Sequence, residues 1–120
     1  MKVAITSTGE LLTSAFDTRF GRAAKFIIYD TKEKSFIVLD NKEQVDSPSG
    51  AGVQAAQVMI NNKVDALITG HLGPKAGKVI FAAGIEVYQT DAESVEQALA
   101  MYTSKALKPL KGSNVDGQWV

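Results

Sequence analysis

Two periodicities organise the apolar positions of this 120-residue chain, one of strands and one of helices. Lys2 to Thr6 is a short apolar run with a β-branched bias that ends in Ser7-Thr8-Gly9, which predicts a buried strand and then a long loop to about Ala23. Phe26-Ile27-Ile28-Tyr29 and Phe36-Ile37-Val38-Leu39 flank the polar stretch Asp30 to Ser35 and predict an antiparallel hairpin. After the polar stretch Asn41 to Gly52, Val53, Ala56, Met59 and Ile60 recur at helical spacing, so a helix should start near Ser49 or Gly50. Ala66 to Thr69 predicts a further buried strand. Gly73-Pro74 predicts a helix start, because proline's missing N–H costs nothing at the first helical position, and Gly84 suits its left-handed end. Ile85 to Tyr88 makes a last strand, and Thr90 and Glu93 have capping-box spacing ahead of Val95, Ala98, Leu99 and Tyr102. From Leu107 the pattern is lost, leaving a tail that ends near Trp119.

The order β β β α β α β α alternates strand and helix only in its second half. That predicts an α/β fold on a five-stranded mixed sheet, with helices on both faces. Right-handed crossovers place the strand at residue 66 beside the first strand, giving the spatial order 3-2-1-4-5. Connections leave strands 1 and 4 in opposite directions, and open α/β sheets bind ligands at such a switch point. The loops there are Thr6–Ala24 and Gly70–Lys75.

Composition narrows the chemistry. The length suits one domain, and 45% hydrophobic with 22% charged residues is the balance of a globular protein. Thirteen basic residues offset thirteen acidic ones, so no overall field draws the chain to nucleic acid or to an anionic membrane, and an anion must be caught locally. No signal-peptide pattern and no run near the ~20 apolar residues of a membrane span is seen, so a cytoplasmic location is expected. There is no cysteine, which excludes disulfides, thiolate nucleophiles and thiolate-held zinc or iron–sulfur centres.

His71, the single histidine, stands just beyond a buried strand between Gly70 and Leu72. It reads either as a transition-metal ligand or acid–base group, or as a loop residue capping the backbone. The run Gly70-His71-Leu72-Gly73-Pro74 leads into a helix whose first amides and dipole could hold an anion; the alternative is ordinary turn chemistry. Ser47-Pro48-Ser49-Gly50-Ala51-Gly52 resembles an anion-cradling loop without the lysine of a P-loop, or is a helix cap whose glycines allow close packing. Asp17-Thr18-Arg19-Phe20-Gly21-Arg22 sets two guanidiniums in a loop too long for a mere connector. They suit an anion, or they pair with surface acids such as Asp17 while Phe20 pins the loop to the core. Ser-His-Asp spacing and the first-strand carboxylates of a two-metal nuclease are both missing, so no enzymatic activity is expected.

Phe20-Gly21-Arg22-Ala23, Gly50-Ala51-Gly52, Thr69-Gly70-His71-Leu72-Gly73-Pro74-Lys75-Ala76 and Ala82-Ala83-Gly84-Ile85 together resemble the dinitrogenase iron–molybdenum cofactor biosynthesis family of small nitrogenase accessory factor-like proteins. The resemblance covers residues 1–105 and leaves 106–120 as a C-terminal tail. It implies a three-layer α/β/α, ribonuclease H-like fold of order 3-2-1-4-5 with strand 2 antiparallel. It also implies transient binding of an iron–sulfur or iron–molybdenum type cluster, or its precursor, between donor and acceptor proteins. Carried over by position, His71 would ligate metal. Arg19, Phe20, Gly21, Arg22, Gly50, Ala51, Gly52, Gly70, Leu72 and Gly73 would surround the cluster. Many relatives have histidine immediately before Phe-Gly-Arg, whereas here that position is Arg19. A small-anion or metabolite sensor using the same loops without metal is the alternative expectation. The apolar strand Phe36 to Leu39 makes the expected state a monomer or a weak homodimer, with Lys32, Lys34, Lys42 and Glu43 as candidate guards of that edge.

Overall fold

The computed structural model describes residues 1–41 and 50–110. In it β1 (Lys2–Ser7), β2 (Lys25–Asp30), β3 (Ser35–Asp40), β4 (Ala66–Thr69) and β5 (Glu86–Gln89) form one sheet of order β3-β2-β1-β4-β5. β2 is antiparallel to both neighbours, whereas β1 with β4 and β4 with β5 are parallel. The mixed sheet and its expected order are therefore present.

The central strands are apolar at consecutive positions because helices cover the sheet on both sides. Their alternation sorts side chains between two cores. Ala4, Phe26, Ile28, Leu67 and Val87 face one side, where they meet Ala55, Ala56 and Met59 of α1 (Ala51–Asn61) and Ala76 and Ile80 of α2 (Pro74–Ala82). Val3, Ile5, Ile27, Ala66 and Ile68 face the other, against Val95, Ala98 and Leu99 of α3 (Val95–Thr103). Among the described residues β3 has only β2 beside it and is mostly exposed. Among the described residues no helix is long and apolar enough to cross a membrane.

Most element ends fall where the pattern puts them. α1 begins at Ala51 with Gly50 as its N-cap, while Ser47, Pro48 and Ser49 lie outside the described residues, as do Lys42, Glu43 and the chain beyond Leu110. α2 opens with Pro74 in its first turn and is followed by Gly84 at φ 78°, the left-handed residue expected there.

One expectation needs correcting. The cap of α3 is not the Thr90–Glu93 pair: the Thr90 N–H donates to the Thr69 carbonyl (3.0 Å), which extends the β4–β5 ladder past its last paired residues. The capping residue is Ser94, whose Oγ accepts from the Gln97 N–H (3.2 Å), while Gln97 Oε1 accepts from the Glu93 N–H (2.6 Å). At Leu110, the last described residue, the chain lies beside β5: its N–H donates to the Val87 carbonyl (2.7 Å), and Leu110 packs on the core.

The two cap assignments make different predictions. Ser94→Ala should lower unfolding free energy by about 0.5–2 kcal/mol, the usual worth of an N-cap. Thr90→Ala, tied in through its backbone, should change it by less than about 0.5 kcal/mol. Urea denaturation followed by circular dichroism checks both.

Candidate functional site

The placement of the candidate site follows from strand direction. β1, β3, β4 and β5 all point the same way, and α1 and α2 each return the chain from one such strand to the start of the next. Both helices therefore run against the strands and begin at the carboxyl edge of the sheet. Gly50 caps α1 and Gly73 caps α2, in neither case with a side-chain hydrogen bond. The first-turn amides of a helix have no intrahelical partner, and the dipole leaves them partly positive.

The loop after β1 closes over this edge. It first turns back on itself: Thr8 N–H donates to the Ala15 carbonyl (3.0 Å) and Asp17 N–H to the Thr6 carbonyl (3.1 Å), while the Thr6 hydroxyl donates to the Asp17 carbonyl. The Thr6 and Thr69 hydroxyls, both buried, are hydrogen-bonded at 3.2 Å between the ends of β1 and β4. The loop then lies along the segment after β4, where Arg19 and His71 form a parallel bridge and Phe20 N–H donates to the His71 carbonyl (3.1 Å). Phe20 is buried against Phe26, ring centres 5.5 Å apart.

Two glycines allow these approaches. A Cβ on Gly70 would stand 2.6 Å from the Thr18 carbonyl oxygen, and one on Gly21 would stand 2.7 Å from the Gly52 nitrogen. Any side chain at either position would force backbone apart. Asn41, at the end of β3, holds the far end of the loop: its Nδ2 donates to the carbonyls of Gly21 (3.0 Å) and Ala23 (2.8 Å).

Arg19, Phe20, Gly21, Arg22, Ala51, Gly52, His71 and Gly73 line one concavity of about 330 Å³, within the range of small-ligand sites. Beside it, Phe20, Gly21, Gly50, Gly52, Val53, Gly73, Pro74, Lys75 and Ala76 line an apolar groove of about 340 Å³ that shares four of the same residues. Nine of the candidates named from sequence thus lie around these two hollows. Leu72 and Gly70 line neither: Leu72 is fully buried in the core, and Gly70 backs onto Thr18 while its carbonyl accepts from Gln89 Nε2 (2.8 Å).

Arg19 pairs with Asp17, but Asp17 is no surface acid. Its side chain is 4% exposed and that of Arg19 62%. Asp17 Oδ1 accepts from the Arg19 backbone N–H (3.0 Å) and Nε (3.1 Å), and Oδ2 accepts from Nη2 (3.1 Å). This fork, with the charge of Asp17 behind it, raises the Arg19 pKa above its ordinary value, so the guanidinium keeps its charge at any working pH. Nη1 takes no part in the pair. Asp17 is thus a buried anchor that orients the cation rather than a carboxylate offered to a metal.

The inventory of donors limits what the hollow can hold. Among the described residues no group of three or more His, Cys, Asp or Glu side chains is placed to hold a metal ion. The hollow offers one exposed imidazole, two guanidiniums and two helix starts whose capping glycines bring no side-chain hydrogen bond. Sequence reasoning did not single out Asn41 or Val53, nor the burial of Asp17. Val53 gave only the signal of a position inside the first turn of α1, whereas Lys75 is named from sequence as the end of the loop Gly70–Lys75.

A profile of the dinitrogenase iron-molybdenum cofactor family matches residues 1–105. The apo form of the orange protein from Desulfovibrio gigas is 35% identical, with a TM-score of 0.86 over 92% of this chain and 96% of that one. A Thermotoga protein of the DUF35 family, solved by NMR, is 33% identical, with a TM-score of 0.80 over 91% of this chain and 92% of that one. An uncharacterized protein of Methanocaldococcus jannaschii is 27% identical over 113 residues, 90% of each chain.

Adjacent residues should separate cleanly in stability. His71→Ala, at an exposed side chain, should stay within about 0.5 kcal/mol of wild type. Leu72→Ala should cost about 2–5 kcal/mol as a core truncation. Equilibrium denaturation of both variants decides whether the chain alternates here as described.

Proposed function

The chain belongs to the dinitrogenase iron–molybdenum cofactor family, and from that premise we propose that it binds a preformed iron–sulfur or iron–molybdenum type cluster, or a precursor of one, and passes it on during metallocofactor assembly without catalysing a reaction. The observation that supports this reading is the convergence of His71, Arg19, Arg22 and the starts of α1 and α2 on one hollow at the carboxyl edge of the sheet.

The cluster is cargo in this reading. A resident metal ion held by several side chains does not fit a chain without cysteine, with one histidine and, among the described residues, no grouped ligands. A whole anionic cluster does fit. Backbone N–H groups of the helix starts can donate to bridging sulfides, guanidiniums offset the net negative charge, and His71 supplies one bond to an exposed metal. Holding by charge and a single imidazole also favours release. An acceptor that offers thiolates binds iron more strongly than one imidazole does, so transfer runs downhill from this protein to such an acceptor. Donor and acceptor proteins are part of the proposal.

One observation favours a second reading. The apolar groove beside the charged hollow, with Lys75 at its edge, suits an organic anion with an apolar body, held without metal by a sensor domain. Thermal-shift screening separates the two: phosphorylated or carboxylated metabolites would stabilise a sensor while iron and molybdenum species would not.

The main reading is tested by anaerobic incubation of the purified protein with a synthetic iron–sulfur cluster capped by exchangeable thiolates, then desalting and absorption spectroscopy. Wild type should retain a coloured complex. His71→Ala should bind roughly 10–100-fold more weakly, the scale on which a disturbed ligand set weakens metal affinity. Equal uptake by the two proteins would remove His71 from the site.

A further inference from the structure

β3 closes one side of the sheet, and among the described residues no strand pairs with its outer edge. Between Phe36 and Leu39 it has no proline and no inward-pointing charge, and its register with β2 is unbroken from Ser35 to Asp40. Phe36 is 37% exposed and Ile37 54%.

Which backbone groups this edge offers follows from the hairpin. Asn41 N–H donates to the Ala24 carbonyl in the same register as the β2–β3 pairing, so Ser35, Ile37, Leu39 and Asn41 spend their backbone groups on β2. By alternation, Phe36, Val38 and Asp40 turn theirs outward. The charges flanking the strand are opposite in sign: Lys34 precedes it, at φ 55° in the turn, and Asp40 ends it. Asp40 also lies 3.3 Å from Lys25 Nζ and remains 60% exposed.

We propose that β3 is the contact strand of a symmetric homodimer, in which the β3 edges of two copies pair antiparallel about Ile37. In this register the outward backbone groups meet their own kind: Phe36 lies opposite Val38 of the second copy, and Val38 opposite its Phe36. Ile37 meets Ile37 across the two-fold axis. Lys34 meets Asp40 at both ends, whereas a parallel pairing would set like against like. The chain's thirteen basic and thirteen acidic residues leave no net charge to hold two copies apart. The sheet becomes continuous through both subunits. The hollow by His71 lies at the ends of β1 and β4, with β2 between them and the joined edge, so each copy keeps its site open. Pairing of one strand edge buries little area, which makes the dimer weak and concentration-dependent.

Sedimentation velocity over a concentration series at low salt tests the proposal. Wild type should show a reversible monomer–dimer equilibrium, and Ile37→Lys, which sets two ammonium groups face to face, should remain monomeric. Lys34→Asp and Asp40→Lys should each weaken dimerisation roughly tenfold, because like charges opposite one another across strands repel. An equimolar mixture of those two should dimerise about as well as wild type, since each charge then faces its opposite. Circular dichroism verifies folding, and if Ile37→Lys fails to fold, the charge-swap mixture decides alone. A wild type that stays monomeric throughout, an undiminished Ile37→Lys dimer, or a mixture no tighter than its components would each overturn the proposal.

Discussion

A helix that joins two parallel strands must run against them, and this constraint organises the molecule. It sends α1 and α2 across one face of the sheet with both starts at the carboxyl edge, where β1 and β4 diverge. Two partly positive helix ends thereby meet in one place without any residue having been selected for charge. Everything at the site is arranged around that meeting: the long loop after β1 folds over it, Gly21 and Gly70 let the backbone come close, and the cations stand at its rim.

The same edge shows how a small domain holds positive charge near a hollow without weakening itself. Asp17 is buried, yet it satisfies its oxygens locally through the backbone N–H and the fork of Arg19, so its burial leaves no unpaired charge. Its partner's guanidinium stays largely in water, where a cation costs little. The hydroxyls of Thr6 and Thr69 answer each other in the interior directly below. These buried polar groups are thus committed to one another before any ligand arrives, whereas Asn41 Oδ1 is buried without a hydrogen-bond partner among the described residues.

The fold was legible because its strands are buried on both faces and its helices obey their period. β4 matches its apolar run residue for residue, and β5 is displaced by one. Capping at α3 was misplaced because Thr90-x-x-Glu93 and Ser94-x-x-Gln97 are equally good patterns, and only the reach of the β4–β5 ladder decides between them. At the site, local pattern showed which segments matter but not which way each side chain turns. Leu72 sits beside His71 in sequence and goes into the core, since successive residues in an extended segment take opposite sides. Asp17 read as a surface acid because nothing local announces burial: Thr6, which receives that segment, lies eleven residues away. Asn41 and Lys75 belong to contacts made only after the loop and helices have docked.

The short bridge between Leu110 and Val87 bears on how copies of this chain can assemble. A sheet with two bare edges can recruit a neighbour on each, and each neighbour recruits another, so that association runs on into a filament. Leu110 occupies a position on the outer edge of β5, a strand only four residues long, and turns that side into a terminus. For the proposed β3 dimer, this bridge favours an association that stops at two copies over edge-to-edge growth.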